Sequence, residues 1–366
     1  MRGKSGFEID ASIDSIQCLA PPDNLQHYEG VAFSSSGNIL AVAAAGADAV
    51  LLFRRTADGR FEDAPYWNIN GPRANLNFPH DVSFVLSGGN ELLAAVQRRG
   101  VISIWERNQG EDTYGPDPVL EITGQQTELN FSDSVAFVPP NNDYVAATNY
   151  TTNSITFYHR TSLSPIGFRF EPEFVLKCPE IVGPDGIAFS QCGSWLAVAN
   201  HGNHSVSIFA RRDGSPARSA LTYDPIPITI ISDRSLCHPH SVAFSPKTNH
   251  LVVTNSGANY FSVYAPERIS QEQQWSESAV ATIPFSPESL FQAVNASNKM
   301  EGGPKGVAIH KTILAVCGPE LGIKIYSCRD YASTFAKYCA DFDRFTRATA
   351  RNIGSLIQSL RMSSGG

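Results

Sequence analysis

One short phrase recurs six times along the 366 residues: Glu29-Gly-Val-Ala-Phe33, His80-Asp-Val-Ser-Phe84, Asp133-Ser-Val-Ala-Phe137, Asp185-Gly-Ile-Ala-Phe189, His240-Ser-Val-Ala-Phe244 and Lys305-Gly-Val-Ala-Ile309. Its third residues, Val31, Val82, Val135, Ile187, Val242 and Val307, are spaced 51, 53, 52, 55 and 65 apart. A period of this length restricts a chain to folds that stack one supersecondary unit on the next. Within each unit the phrase leads through a polar turn to a second apolar run, such as Leu40-Ala-Val42, and then to an alternating run such as Val50-Leu-Leu-Phe53 or Ile102-Ser-Ile-Trp105. Period-2 alternation, β-branched and aromatic residues and Gly/Asn/Ser turns specify strands. Weaker fourth strands fit at 118–122, 173–176, 226–230 and 279–283. Four short strands in about 52 residues, six times over, give an all-β fold, a six-bladed β-propeller. The last unit lacks a fourth strand after Tyr326, and a spare strand-like segment lies at 11–18. Closure of the ring by this N-terminal strand would leave no open edge.

The expected layout is therefore an N-terminal tail over 1–10, the propeller over 11–328 and a C-terminal helical extension over 329–366. In the last segment Phe335, Tyr338, Phe342, Phe345, Ile353, Leu356 and Leu360 fall at helical spacing among polar residues, the pattern of an amphipathic helix. Such a helix packs on the propeller or offers a surface for a protein partner or self-association. Charged residues make up 17% of the chain, against about 25% ordinarily, and the net charge is −7. That balance excludes nucleic acid as the main partner, because phosphate neutralisation needs clustered Lys and Arg. The N-terminus has no apolar run typical of a secretory signal, and the most apolar stretch, 41–53, is too short to span a membrane. Seven widely spaced cysteines without a C-x-x-C pair read as reduced thiols, so a cytoplasmic protein is expected. Nucleotide-binding and serine-hydrolase motifs are absent.

In a propeller the first strand of each blade lines the central channel, so one repeat position becomes a ring of side chains. The position two before each anchor holds Glu29, His80, Asp133, Asp185, His240 and Lys305, all of them titratable. A fold-only position would favour Asn, Gly, Ser or Asp making turn hydrogen bonds. Sixfold order sets Glu29 opposite Asp185, His80 opposite His240 and Asp133 opposite Lys305. Anions converging on one axis need a cation or shared protons as compensation. A divalent ion is the simplest, with oxygen ligands favouring Ca, Mg or Mn and imidazoles favouring Zn, Mn or Fe. Asp133, His80 and His240 are then the candidate catalytic acid–base groups.

A second layer comes from the ends of the second strands, where Gln97, Asn149, Asn200 and Asn255 could orient a polar ligand. His201 and Lys305 join them as candidate substrate-binding residues, and His204 and His238 share the same face. The connection 286–304 is long for its place in the repeat and is a candidate lid over the channel.

The units Pro239-His-Ser-Val-Ala-Phe-Ser-Pro246 with Leu251-Val-Val-Thr-Asn255, and Pro184-Asp-Gly-Ile-Ala-Phe-Ser190 with Leu196-Ala-Val-Ala-Asn200, resemble the YVTN-type propeller repeat. More distantly the chain is similar to the six-bladed gluconolactonase and senescence-marker-protein family. That resemblance implies a divalent ion held by Glu29 and Asp185. His240 falls where the family carries a further ligand.

Together these features point to a metal-assisted, lactonase-like hydrolase, or a related enzyme, acting on a small polar molecule in the central channel. A non-catalytic scaffold for protein–protein interaction is the alternative from another class. A metal-free lyase or epimerase using His80 and His240 is the third.

Overall fold

Each repeat folds into one antiparallel sheet whose strands follow chain order from the centre outward. A computed structural model describes residues 7–9, 15–20, 27–163, 166–212, 221–269, 272–297, 299–319 and 321–330. The first strands are Tyr28–Phe33, Pro79–Ser87, Val135–Phe137, Pro184–Phe189, Pro239–Phe244 and Val307–His310. Each contacts the first strand of the next blade, and the sixth contacts the first, so the described residues form a six-bladed ring around one axis. In the sixth blade Gln17–Leu19 takes the outer position, pairing antiparallel with Gly322–Asp330 in the register Cys18↔Lys324. Phe7–Ile9, within the segment read as a tail, pairs with the far end of the same strand. The amphipathic helix expected over 329–366 lies outside the described residues apart from Arg329 and Asp330, which end that strand.

Burial explains why the second strands are almost wholly apolar. Ile39–Ala44 is buried at every position, because each of its faces meets a different blade. The hydrophobic core is accordingly divided into six clusters, one in each gap between neighbouring blades. Leu40, Val42 and Leu51 pack against Ile313 and Ala315 on one side of the first blade, and Ala41, Ala43 and Leu52 meet Val82, Leu93 and Trp105 on the other. The long connection before the last blade contains the helix Glu288–Ser297, which buries Phe291 and Val294. Among the described residues no helix is long and apolar enough to cross a membrane.

Near the axis the first strands approach closely, and glycine makes this possible. A Cβ on Gly186 would sit 2.5 Å from the carbonyl oxygen of His240 and 2.7 Å from the Cα of Ser241. One on Gly30 would meet the Cα of Asp81 at 2.6 Å. Both obstacles include backbone of the neighbouring blade and cannot swing aside. Gly186→Ala is therefore expected to lower stability by about 1–3 kcal/mol in urea denaturation. Gly115→Ala, where the nearest atom is 3.7 Å away, should stay within about 0.5 kcal/mol of the parent.

Candidate active site at the channel axis

Four of the six titratable residues lie in locally irregular strands, while Asp133 and Lys305 fall just before theirs. In those four blades the pairing register shifts around the residue: between Tyr28 and Val31, Pro79 and Asp81, Pro184 and Ile187, and Pro239 and Val242. Glu29, His80, Asp185 and His240 thus sit in β-bulges, which re-aim side chains. Side chains from the second strands fix these segments in turn. Thr148 Oγ1 donates to the Asp185 carbonyl at 2.9 Å, and Thr254 Oγ1 donates to that of Lys305. His80 Nδ1 lies 2.8 Å from the Asp133 carbonyl.

All six residues of the ring are buried, none more than 4% exposed, and they converge as the repeat register requires. The His80 and His240 rings stack at 5.0 Å with 23° between their planes. His240 Nε2 lies between Glu29 Oε2, at 3.0 Å, and Asp185 Oδ2, at 3.6 Å. Lys305 Nζ is 3.5 Å from Glu29 Oε2 and 2.6 Å from Glu301 Oε2. His27 Nε2 holds the other Glu29 oxygen at 2.7 Å.

Besides His27 and Glu301, two further groups at this site have no counterpart in the sequence analysis. Arg98, on the residue after Gln97, donates from Nε to Asp133 Oδ1 at 2.8 Å and from Nη2 to His80 Nε2 at 2.9 Å. The Asp133 carbonyl can only accept, so His80 carries its proton on Nδ1 and its Nε2 lone pair is taken by Arg98. Asp81 lies behind the ring and accepts from Ser134 Oγ at 2.6 Å and Val82 N–H at 2.8 Å.

Burial and neighbouring charges then divide the protons. Burial would raise Glu29, but Lys305, His80, His240 and His27 hold its carboxyl well below the usual range. Burial pushes Asp133 up to about 6 against the pull of Arg98, and pushes Asp185 well above the ordinary value with Asp133 adding to it. Asp81 is raised by burial to about 7. His240 falls to about 4, through burial and then Lys305, and His80 falls well below its usual value, chiefly through burial. Lys305 stays protonated because Glu29 and Glu301 outweigh the cost of burying it. At neutral pH the ring therefore sets Glu29 and Asp133 as anions against Lys305 and Arg98 as cations, with both imidazoles neutral and Asp185 shifted by burial towards its protonated form.

The ring encloses a cavity of about 10 Å³, lined by Glu29, His80, Asp133, Asp185 and His240 among others. That is space for one water molecule or one ion. A lactone or sugar acid does not fit at this level of the channel, so a substrate of that size would lie above it, at the mouth.

The structure places the other expected binding residues differently. Gln97, Asn149, Asn200 and Asn255 are fully buried inside the blades. Each side-chain oxygen accepts a backbone N–H of the loop leading into the first strand, from Asn77, Asn130, Val182 and Cys237 respectively. Each amide nitrogen donates to a hydroxyl of the third strand, Ser103, Thr156, Ser207 or Ser262. These amides anchor the loops that carry the ring and present nothing to a ligand. His201 does reach the mouth, 3.4 Å from Glu301 Oε1 and beside Tyr150.

Residues 179–289, spanning the fourth and fifth blades, match the model of a family described as lactonase, 7-bladed β-propeller. The match covers less than a third of the chain. Among solved structures the chain is similar to the β-propeller domain of Cps50 (Swd1) from Myceliophteria thermophila, at TM-score 0.51 and 13% identity over 82% of this chain and 83% of that one. It is also similar to a Bacteroides uniformis protein provisionally assigned as a 6-phosphogluconolactonase, at TM-score 0.46 and 15% identity over 70% and 71% of the two chains. A protein from Lactobacillus plantarum gives TM-score 0.49 and 17% identity over 71% and 72%. No curated protein is a significant match. At 13% identity the Cps50 (Swd1) domain bears on the fold alone, and the protein is a β-propeller with lactonase-type similarity in two blades.

The buried charges make a direct prediction. Lys305→Met leaves Glu29 without its nearest cation, and a loss of about 3–5 kcal/mol is expected in urea denaturation. The double variant Lys305→Met/Glu29→Gln should recover part of it. A single variant as stable as the parent would contradict the charge balance.

Proposed function

We propose that the protein is a hydrolase of a small, polar lactone or ester, attacking its substrate from the inner end of the channel mouth. The observation that carries this reading is a water-sized cavity walled by two buried aspartates in unlike surroundings, Asp133 paired with the Arg98 guanidinium at 2.8 Å and Asp185 with no such partner. Asp133 is ionised at neutral pH, and its Oδ2 is buried without a hydrogen-bond partner. It is placed to take a proton from water in the cavity as that water adds to the ester carbon. Arg98, 30% exposed, supplies a cation beside the same carboxylate on which negative charge developing on the carbonyl oxygen can settle. Asp185 is the proton donor to the departing alkoxide as the ring C–O bond breaks. Restoring Asp185 and Asp133 requires return of the proton from one to the other, directly or through the new water. His80 is better suited to positioning than to base chemistry, since Arg98 occupies its lone pair. Lys305 holds Glu29 ionised, and His201 steadies Glu301 at the rim. The lactonase-type match over residues 179–289 supports this class of reaction. Free thiols at Cys18, Cys178, Cys192, Cys237 and Cys317 support a cytoplasmic setting.

A second reading retains a divalent ion on Glu29, Asp185 and His240. The specific observation in its favour is that Glu29 Oε2 and His240 Nε2 are buried 3.0 Å apart, neither with an aligned hydrogen bond. With His80 they form a set of one carboxylate and two imidazoles close enough to share an ion. A bound ion would polarise the carbonyl or acidify the attacking water. Against it, Lys305 and Arg98 already provide positive charge at the same oxygen and the same imidazole. Elemental analysis of protein purified without a His-tag, with melting curves with and without chelator, separates the two readings. About one tightly held ion and a chelator-lowered midpoint favour the metal; neither is expected if the protein's own cations suffice.

Against a panel of γ- and δ-lactones, Asp133→Asn is expected to reduce kcat by about 10²–10⁴-fold while the fold is retained. In the parent, kcat/KM should fall as pH drops through about 6, where Asp133 takes up its proton. Activity unchanged in Asp133→Asn, or flat from pH 5 to 8, would remove Asp133 from the role of base.

A further inference from the structure

Two residues before each titratable side chain, five blades turn through the left-handed region of backbone space. The residues are His27 at φ 74°, Phe78 at 50°, Phe131 at 48°, Gly183 at 53° and His238 at 49°. Only one is the glycine that such a conformation favours; the other four are aromatic, and a bulky L-residue is strained there. The backbone shows what the fold needs at this position. In all five blades the carbonyl of this residue accepts the N–H of the residue just after the second strand. The donors are Ala45 to His27, Arg98 to Phe78, Tyr150 to Phe131, His201 to Gly183 and Ser256 to His238, at 3.0–3.5 Å. A glycine satisfies that bond equally well, as Gly183 demonstrates, so the bond does not account for the four rings. Strain kept in a repeated position at one end of a channel points to a role for the side chains.

The side chains meet around the mouth. The Arg98 guanidinium lies over two of them, 5.2 Å from the Phe78 ring and 4.8 Å from the Phe131 ring. Beyond Phe131 the arc continues through Tyr150 at 5.9 Å and His201 at a further 6.0 Å to His238 at 4.6 Å and His204 at 4.4 Å, and on the other side of Phe78 it takes in His27 at 5.8 Å. In the sixth blade the equivalent positions are Gly303 and Pro319, which bring no aromatic ring. Phe131 is 39% exposed, a large apolar face turned to solvent beside a cation. Among the described residues Arg98 Nη1 has no hydrogen bond, so one donor of the guanidinium is available beside exposed aromatic faces.

We propose that this arc is the recognition subsite for a planar, conjugated ring bearing a carboxylate, whose face stacks on Phe131 with the tilted Tyr150 ring against its edge while its carboxylate pairs with Arg98. The assignment rests on the preceding reading of the mouth as the place where substrate lies, and it names the chemical class of that substrate. Aromatic faces stack best on flat π-systems in offset geometry, and a saturated ring forfeits that part of the attraction. The free Nη1 can give a charge-assisted hydrogen bond to a carboxylate, which a neutral group of the same shape does not match. The cavity beneath admits only a water or an ion, which leaves the flat ligand above it.

Calorimetric titration of the full chain with benzoate, cyclohexanecarboxylate and benzamide tests the proposal without requiring turnover. Benzoate is expected to bind at least about tenfold more tightly than either of the others. Phe131→Leu, which keeps apolar bulk and loses the ring, should weaken benzoate by about five- to tenfold and leave cyclohexanecarboxylate nearly unchanged. If that variant does not fold, Tyr150→Leu serves the same purpose. Absence of benzoate binding at millimolar concentration, equal affinity for the saturated acid, or undiminished binding in the variant would each overturn the assignment. Because the assay reads binding, benzoate discrimination without lactone hydrolysis would reject the catalytic reading alone. Hydrolysis without discrimination would reject the subsite alone.

Discussion

One interaction underlies the site: a pair of cations, Lys305 and Arg98, neutralises carboxylates that the repeat forces onto a single buried axis. Glu29, Asp133 and Asp185 are almost fully removed from water, and desolvation disfavours the charged form of each. Lys305 at 3.5 Å lets Glu29 remain an anion. Arg98 at 2.8 Å brings Asp133 part of the way back, and Asp185, without such a close partner, stays well above the ordinary aspartate range. Three carboxyl groups from one repeat position thus acquire three different protonation behaviours. The ring needs that asymmetry to combine a base with an acid in one cavity.

The geometry behind the interaction is set by backbone. Glycines at 30 and 186 let adjacent first strands come within contact distance, and the bulges turn the titratable side chains inward. The same closeness shrinks the central space to about 10 Å³. Chemistry is therefore divided by depth, with water or an ion among the carboxyl groups and any larger ligand held above them at the aromatic mouth.

Much of this was legible in the sequence because a repeat converts position along the chain into position around an axis. The six anchors gave the blade count, and the residues two before them gave the ring that the structure brings together, including the facing His80 and His240. The misplaced second layer shows the limit of the method. Gln97, Asn149, Asn200 and Asn255 have ligand-binding chemistry, yet their amides are consumed by the loop N–H groups and third-strand hydroxyls beside them. The residues that reach the mouth, Arg98, Tyr150 and His201, lie one position later in the same alignment. His201 was read as a binding residue, and shifting the other positions by one residue would have found Arg98 and Tyr150. Asp81 differs in kind: other blades place Gly or Ser after the ring residue, so a carboxylate there was a visible departure. Glu301, on the long connection, has no repeat partner to reveal it. Its pairing with Lys305 and His201 depends on how the segment after the helix Glu288–Ser297 returns to the axis.

The most direct test of the central claim is a carbon-13 NMR titration of the side-chain carboxyl carbons of Asp133, Asp185 and Glu29. The account predicts that Asp133 titrates near pH 6, that Asp185 remains protonated well above the ordinary aspartate range, and that Glu29 remains ionised to pH values well below the usual glutamate range. Ordinary midpoints for all three, or an Asp185 that ionises in the ordinary aspartate range, would contradict it.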